Sequence, residues 1–134
     1  MAKLNCQILT SNRTVVNTEV DRVVARGICG EFAVEPGHIA FLTPLKTSVL
    51  RTVDNGNEEI YALYGGFLEV RDDAVRILVD ACEHSDEIDM NRAEEAKRRA
   101  EERLKRKSGD TEVDRAERAL YRAINRIKAS SAAK

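Results

Sequence analysis

An abrupt change of residue usage near residue 87 limits what this chain can fold into more than any other feature. From Met90 to Lys107 there is no glycine, no proline and no β-branched residue. Alanine, glutamate, lysine, arginine and leucine fill the stretch, and these lose little freedom in a helix. Upstream the usage is opposite. Both prolines, six of the seven glycines and five of the six aromatic residues precede residue 87. Charge divides at the same place, with 8 basic against 13 acidic residues in 1–86 and 14 against 10 in 87–134. The near-neutral total of −1 over 134 residues hides that split. Two units are expected, 1–86 and 87–134.

The first unit has the pattern of a β domain. Short β-rich runs occur at Leu4–Leu9, Val20–Ala25, Phe32–Val34, Ser48–Val53, Glu58–Tyr64, Phe67–Val70 and Ala74–Val79. Turn signals separate them. Pro36-Gly37 suits a type II turn, Asn55-Gly56 a tight hairpin, and Gly65-Gly66 and Asp72-Asp73 further breaks. Many short strands at close spacing predict an antiparallel β-sandwich or a small barrel.

The second unit predicts two helices. Asp89 is placed to cap the first. Ser108-Gly109-Asp110 breaks the pattern, with Gly109 suited to a left-handed C-cap. Thr111 to Asp114 can start a second helix running to about Lys128, leaving Ala129–Lys134 to fray. So short a link makes the pair an antiparallel hairpin, giving an α+β chain ordered β then α. The apolar seam is thin: Ala93, Ala96, Ala100 and Leu104 face Val113, Ala116, Leu120, Ala123, Ile124 and Ile127. Alanines bury little area, so a hairpin near balance, which a ligand or partner can tip, stands beside one permanently docked or permanently partner-bound.

Several function classes lose support. No nucleophile elbow, zinc-protease, phosphate-loop or EF-hand motif occurs. Cys6, Cys29 and Cys82 are far apart and odd in number, which argues against a disulfide framework or a zinc cluster. No apolar run approaches the ~20 residues of a membrane span, and Met1–Cys6 does not open like a signal peptide. His38 sits in a turn and needs no catalytic role. The helical unit's modest charge and single aromatic, Tyr121, argue against nucleic acid. Its arginines are more informative. Arg92 and Arg99 lie along one side of the first helix, and Arg115, Arg118, Arg122 and Arg126 along the second. Converging arginine stripes favour a polyanion between them. The competing reading is a solvated face with Glu94–Arg98 and Glu95–Arg99 pairs at i,i+4.

Four segments, in order, carry a resemblance over nearly the whole chain. They are Gly30-Glu31-Phe32-Ala33-Val34-Glu35-Pro36-Gly37-His38, Thr43-Pro44-Leu45, Gly65-Gly66-Phe67-Leu68-Glu69-Val70 and Ile88-Asp89-Met90-Asn91-Arg92-Ala93. With the charge split, they resemble the epsilon subunits of bacterial F-type ATP synthases. The resemblance implies a non-catalytic rotor subunit on the cytoplasmic side of the cell membrane. Its membrane association would be indirect. Its β domain would attach to the gamma subunit and the ring of c subunits, and its hairpin would fold down or extend toward the beta and alpha subunits, inhibiting ATP hydrolysis. It also implies ATP as a regulatory ligand, held by Glu83, Ile88, Asp89, Arg92, Ala93, Arg99, Arg122 and Arg126; it says nothing of magnesium. Arg98, Lys105, Arg106, Arg115, Arg118 and Arg122 are the implied contacts to beta. Two alternatives stay open: the same subunit with a hairpin that does not sense ATP, and a free-standing β-sandwich adaptor.

Overall fold

The computed structural model describes residues 2–106 and 109–133. Ten strands come first: β1 (Leu4–Leu9), β2 (Thr14–Val20), β3 (Arg22–Gly27), β4 (Gly30–Val34), β5 (Phe41–Pro44), β6 (Ser48–Asp54), β7 (Asn57–Tyr64), β8 (Phe67–Arg71), β9 (Ala74–Leu78) and β10 (Ala81–His84). A 3-10 turn at Ser85–Glu87 leads to α1 (Met90–Arg106) and α2 (Asp110–Ala132). The strands form two five-stranded sheets, in the orders β2-β1-β9-β8-β5 and β10-β7-β6-β3-β4. The expected β-sandwich followed by two helices is what the chain forms. One pairing departs from the antiparallel rule: β1 lies parallel to β9, with Asn5 opposite Ala74 and Leu9 opposite Leu78.

The hairpins follow from turn chemistry. Asn55 and Gly56 have φ of 52° and 81°, and Asp72 and Asp73 have 50° and 59°. Positive φ at both central residues gives the turn whose twist matches the flanking strands. At the Pro36-Gly37 turn, the His38 amide donates to the Glu35 carbonyl at 3.1 Å.

Three strands have no counterpart in the sequence reading: β2, β5 and β10. The run expected over Val20–Ala25 is also divided. Val20 ends β2 in one sheet and Arg22 begins β3 in the other. Asp21 makes this corner. Its amide donates to the Val53 carbonyl at 2.8 Å, its carboxylate accepts from the Asn55 amide at 2.8 Å, and Lys3 pairs with it at 3.1 Å. Lys3 also pairs with Asp54.

The main core lies between the sheets. Leu4, Cys6, Ile8, Val23, Leu50, Leu63, Leu68 and Ile77 are fully buried there, and among the described residues no helical one joins them. A second cluster forms on the outer face of β7. Ile60, Ala62 and Tyr64 meet Ala129 of α2, with Val49 and Ile88 alongside. Strand β7 is therefore buried on both faces from Ile60 to Tyr64, the pattern of a covered strand.

The hairpin corrects two expectations at its ends. Helix α2 begins at Asp110, with Gly109 as its N-cap and no side-chain cap bond. Gly109 does adopt positive φ, 108°, but its ψ of 154° is not that of the expected left-handed C-cap, and Lys107 and Ser108 before it lie outside the described residues. The C-terminal end does not fray at Ala129. The helix continues to Ala132, and Ala129 and Ser130 are buried. Ala129 is small enough to sit flush on β7, which turns a weak tail sequence into a docking contact. The helix seam is built from alanine. Ala93, Ala100, Ala116 and Ala123 are all buried, and small side chains let helix axes approach closely.

Candidate functional site

The site begins with a helix cap. Asp89 Oδ1 accepts from the Arg92 amide at 3.2 Å, and the Ala93 amide donates to the Asp89 carbonyl at 3.0 Å. This starts α1 immediately after the sandwich and points its N-terminal end at β10. Glu83 on β10 is the second component. Its Oε1 accepts from Tyr64 Oη at 2.8 Å and from Arg126 Nε at 2.7 Å. The Arg126 guanidinium also lies 5.5 Å from the centroid of the Tyr64 ring, within cation–π range. Burial pulls the Arg126 pKa down, but Glu83 and Tyr64 more than offset this and hold it above its usual value. Burial, with Glu83 as acceptor, raises the Tyr64 phenol. The three groups thus form a charged, donor-to-acceptor cluster tying β7, β10 and α2 together.

Beside this cluster is a cavity of about 270 Å³. Glu83, Asp89, Arg92, Ala93, Arg99 and Arg126 line it, so six of the eight expected ligand residues come together from β10, α1 and α2. Ile88 and Arg122 are absent from the lining. Ile88 is half-buried and packs into the apolar cluster with Ile60 and Ala129. Arg122 faces a larger cavity of about 740 Å³ between α2 and the sandwich. Glu87 and Ala96 complete the smaller lining. Sequence reasoning missed both, although Ala96 shares a helix face with Arg92 by its i,i+4 spacing. Three arginines and three carboxylates balance the cavity's charge.

Of the expected i,i+4 pairs, Glu95–Arg99 closes at 3.9 Å; no ion pair joins Glu94 to Arg98 among the described residues. Arg98, Lys105, Arg106, Arg115, Arg118 and Arg122 are all exposed. His38 Nδ1 lies 2.7 Å from the Ile39 carbonyl and its ring 5.9 Å from Phe41. Among the described residues, no cluster of His, Cys, Asp or Glu could hold a metal ion.

A different surface lies on the outer face of the first sheet. Cross-strand pairs set Pro44 opposite Phe67, Phe67 opposite Leu78, and Leu78 opposite Leu9. Phe67 and Leu78 are each about half exposed, and Leu42 beside them is 65% exposed. A contiguous apolar row of this kind marks a surface for a protein partner.

Sandwich, hairpin, charged cavity and apolar row together define an interaction module whose helical part is held to its β part largely by polar contacts. Residues 3–85 match the model of the ATP synthase delta/epsilon chain beta-sandwich domain, and residues 86–131 that of its long alpha-helix domain. The ATP synthase epsilon chain of Brevibacillus brevis is 42% identical over 108 residues, covering 80% of this chain and 82% of that one. That of Dehalococcoides mccartyi (strain CBDB1) is 48% identical over 101 residues, covering 75% and 72%. Among solved structures, a chain of the Euglena gracilis mitochondrial ATP synthase (OSCP/F1/c-ring, rotational state 1) superposes with a TM-score of 0.82 at 22% identity, covering 90% of this chain and 77% of that one. The chain belongs to the ATP synthase delta/epsilon family, as an epsilon chain of the bacterial kind. It is a non-catalytic subunit of that complex. No helix among the described residues is long and apolar enough to cross a membrane.

Proposed function

We propose that this epsilon chain is a central-stalk subunit on the cytoplasmic side of the membrane, and that its hairpin senses ATP. The sandwich attaches to the gamma subunit and the c-subunit ring. The exposed row of Leu42, Phe67 and Leu78 supports such an attachment, because it offers apolar area that a partner would cover. Phe67→Glu with Leu78→Glu should leave the chain folded and abolish its co-purification with gamma. Retained co-purification would rule this surface out.

The observation that carries the sensing reading is the smaller cavity. Its lining comes from both helices and from the sandwich. A ligand that contacts all three favours the docked hairpin over the extended one by its differential affinity. Arg92, Arg99 and Arg126 would neutralise phosphates through forked hydrogen bonds. Asp89 and the backbone at Ala93 would orient the base. Glu83 already holds Arg126, so it would fix that guanidinium and share it with the ligand. A volume of about 270 Å³ is below the ~300–1,000 Å³ of whole-ligand pockets. It takes part of the nucleotide, and the rest extends past Arg126 toward Arg122. At low ATP the hairpin extends, and Arg98, Lys105, Arg106, Arg115, Arg118 and Arg122 meet acidic residues of beta and inhibit hydrolysis.

Isothermal titration of ATP into the full chain tests this reading. Saturable binding should weaken at least tenfold in Arg92→Ala and in Arg126→Ala. No binding up to millimolar ATP would remove the sensing role. One observation favours the rival of a mobile hairpin, a hairpin docked permanently and without any ligand. Buried Asn125 of α2 donates to the backbone carbonyls of Ser48 and Leu63 at 3.0 and 3.3 Å.

A further inference from the structure

His84 is the last residue of β10, and the chain passes from it through the 3-10 turn Ser85–Glu87 into the hairpin. Its half-buried ring stands edge-on to Tyr61, with centroids 5.1 Å apart. Both ring nitrogens are engaged. Nε2 meets Glu59 Oε2, and Nδ1 accepts from the Asp86 amide at 3.1 Å, which caps the turn. A carboxylate accepts and an amide N–H donates, so the ring carries its proton on Nε2 and leaves Nδ1 bare. His38 is the opposite case. Its Nδ1 lies 2.7 Å from the Ile39 carbonyl, which places the proton on Nδ1.

The cap at Asp86 requires a neutral ring. A proton added at Nδ1 would point at the Asp86 amide hydrogen, donor against donor. The Asp86 carboxylate lies 3.6 Å from the same nitrogen on an exposed side chain, so a small rotation lets it accept that proton instead. Histidine is the side chain whose ordinary titration falls between pH ~5 and ~8. The groups around this ring are acidic. Glu58 and Glu59 of β7, Asp86 of the turn and the end of α2 at Ala132 and Ala133 line a cavity of about 300 Å³ with His84. Helix α2 has no basic residue in its last turn. On the inner side are Tyr61, Cys82 and Glu87; burial, with Glu59 and Glu87 among the nearby charges, pushes the Tyr61 phenol up to about 12. Among the described residues, no other basic group pairs with Glu59 or Asp86. The turn in question seats the hairpin. The Ile88 amide donates to the Ser85 carbonyl at 3.3 Å, and the Ile88 side chain packs with Ile60 and Ala129. Asp89, the next residue, caps α1.

We propose that His84 is an acid-released latch on the hinge between the sandwich and the hairpin. The neutral ring caps the Asp86 amide and holds the turn closed. Protonation gives up that amide, the ring takes the Asp86 carboxylate in its place, and the turn beneath Ile88 loosens. The proton comes from solvent and no ligand takes part. The latch therefore stands whether or not the smaller cavity takes ATP, whose lining does not include His84.

Nitrogen NMR of the full chain without nucleotide tests the latch. At about pH 8, above the ordinary histidine range, the ring shifts should show the Nε2–H tautomer for His84 and the Nδ1–H tautomer for His38. Between about pH 7.5 and about pH 5.5, the Asp86 and Ile88 amides should lose at least tenfold of their protection from exchange, relative to unstructured peptide. That loss should follow the midpoint of the His84 ring, with the amides of β6 unchanged. In His84→Gln the side-chain carbonyl can accept from the Asp86 amide while its NH₂ donates to Glu59. The turn of that variant should stay protected at both pH values. The latch is overturned by a bare Nε2 at His84, by protection at Asp86 and Ile88 that is unchanged across the range, or by an equal loss in His84→Gln.

Discussion

At the scale of single residues, two glycines that look alike in the sequence do different work. A Cβ at Gly66 would lie 1.9 Å from the Leu78 carbonyl oxygen and 2.8 Å from Val79 Cα, at a φ of +120°. Backbone cannot yield there without parting β8 from β9. Gly66→Ala should lose at least ~3 kcal/mol, in the range of the most damaging substitutions. Gly56, at φ +81° in its turn, meets nothing within 4 Å. Gly56→Ala should cost only about 1 kcal/mol, the ordinary penalty of left-handed backbone. Urea unfolding of both variants checks the contrast. The cysteines separate in the same way. Burial pushes the Cys6 and Cys82 thiols up to about 12, with carboxylates at Glu87 and Glu83 adding to the effect at Cys82. A thiol neutral in the fold and ionised when unfolded gives stability that is complete below its unfolded pKa. That stability is lost as pH rises from about 9 toward 12. Unfolding free energy should fall between pH 8 and pH 10.5, by about 2 kcal/mol from Cys6 alone. Urea midpoints across that range read it. At pH 8 a thiol reagent should modify exposed Cys29 and spare Cys6 and Cys82 in the folded chain.

At the scale of elements, legibility tracked position in the sheets. The three strands that the sequence did not announce, β2, β5 and β10, are all at sheet edges. An edge strand has fewer neighbours to satisfy, so its residues need not alternate. Strand β2 carries Asn17, Thr18 and Glu19 in the open, and β5 ends in a proline, which edges tolerate. Central strands such as β1, β6 and β9 alternate inward and outward and were plain. Helix α2 shows the reverse situation. Its docking depends on Asn125, which looks like any polar helix residue until Ser48 and Leu63 present carbonyls to it. Asn125→Ala should weaken docking by about 1–2 kcal/mol, the worth of two ordinary hydrogen bonds. Hydrogen exchange would report it as lost protection in α2, with the sandwich amides unchanged. Equal protection in α2 would mean that Ala129 and the Glu83–Arg126 pair suffice.

At the scale of the whole molecule, the two units are unequal in their means of cohesion. The main core draws on the sandwich alone, whereas the hairpin contributes alanines and a polar interface. A chain ending at Asp86 should therefore fold, with the same near-ultraviolet and amide-exchange signature in β1 to β9 as the full chain. It should also expose Val49, Ile60, Ala62 and Tyr64, and so bind a hydrophobic dye more strongly. Failure of that fragment to fold would show that the hairpin is integral to the core. Thermal melting of the full chain should show helix loss before sandwich loss, because docking rests on few large apolar contacts.

The sequence by itself determined the order of the two units, the turn types, the central strands, the helix pair and the cap at Asp89. Each is set by local preference or by a period that one strand or helix carries alone. It also brought together, through resemblance, six residues that line one cavity. The tertiary structure decided the rest. It settled the corner at Asp21, the parallel pairing of β1 with β9, the burial of Ala129, and the division of the arginines between two cavities. Arg122 and Arg126 are four apart on one helix face, and nothing local tells them apart. Arg126 meets Glu83 and Arg122 does not, because β10 passes beneath only one of them. That is a property of how α2 crosses the sheet, and no segment of sequence contains it.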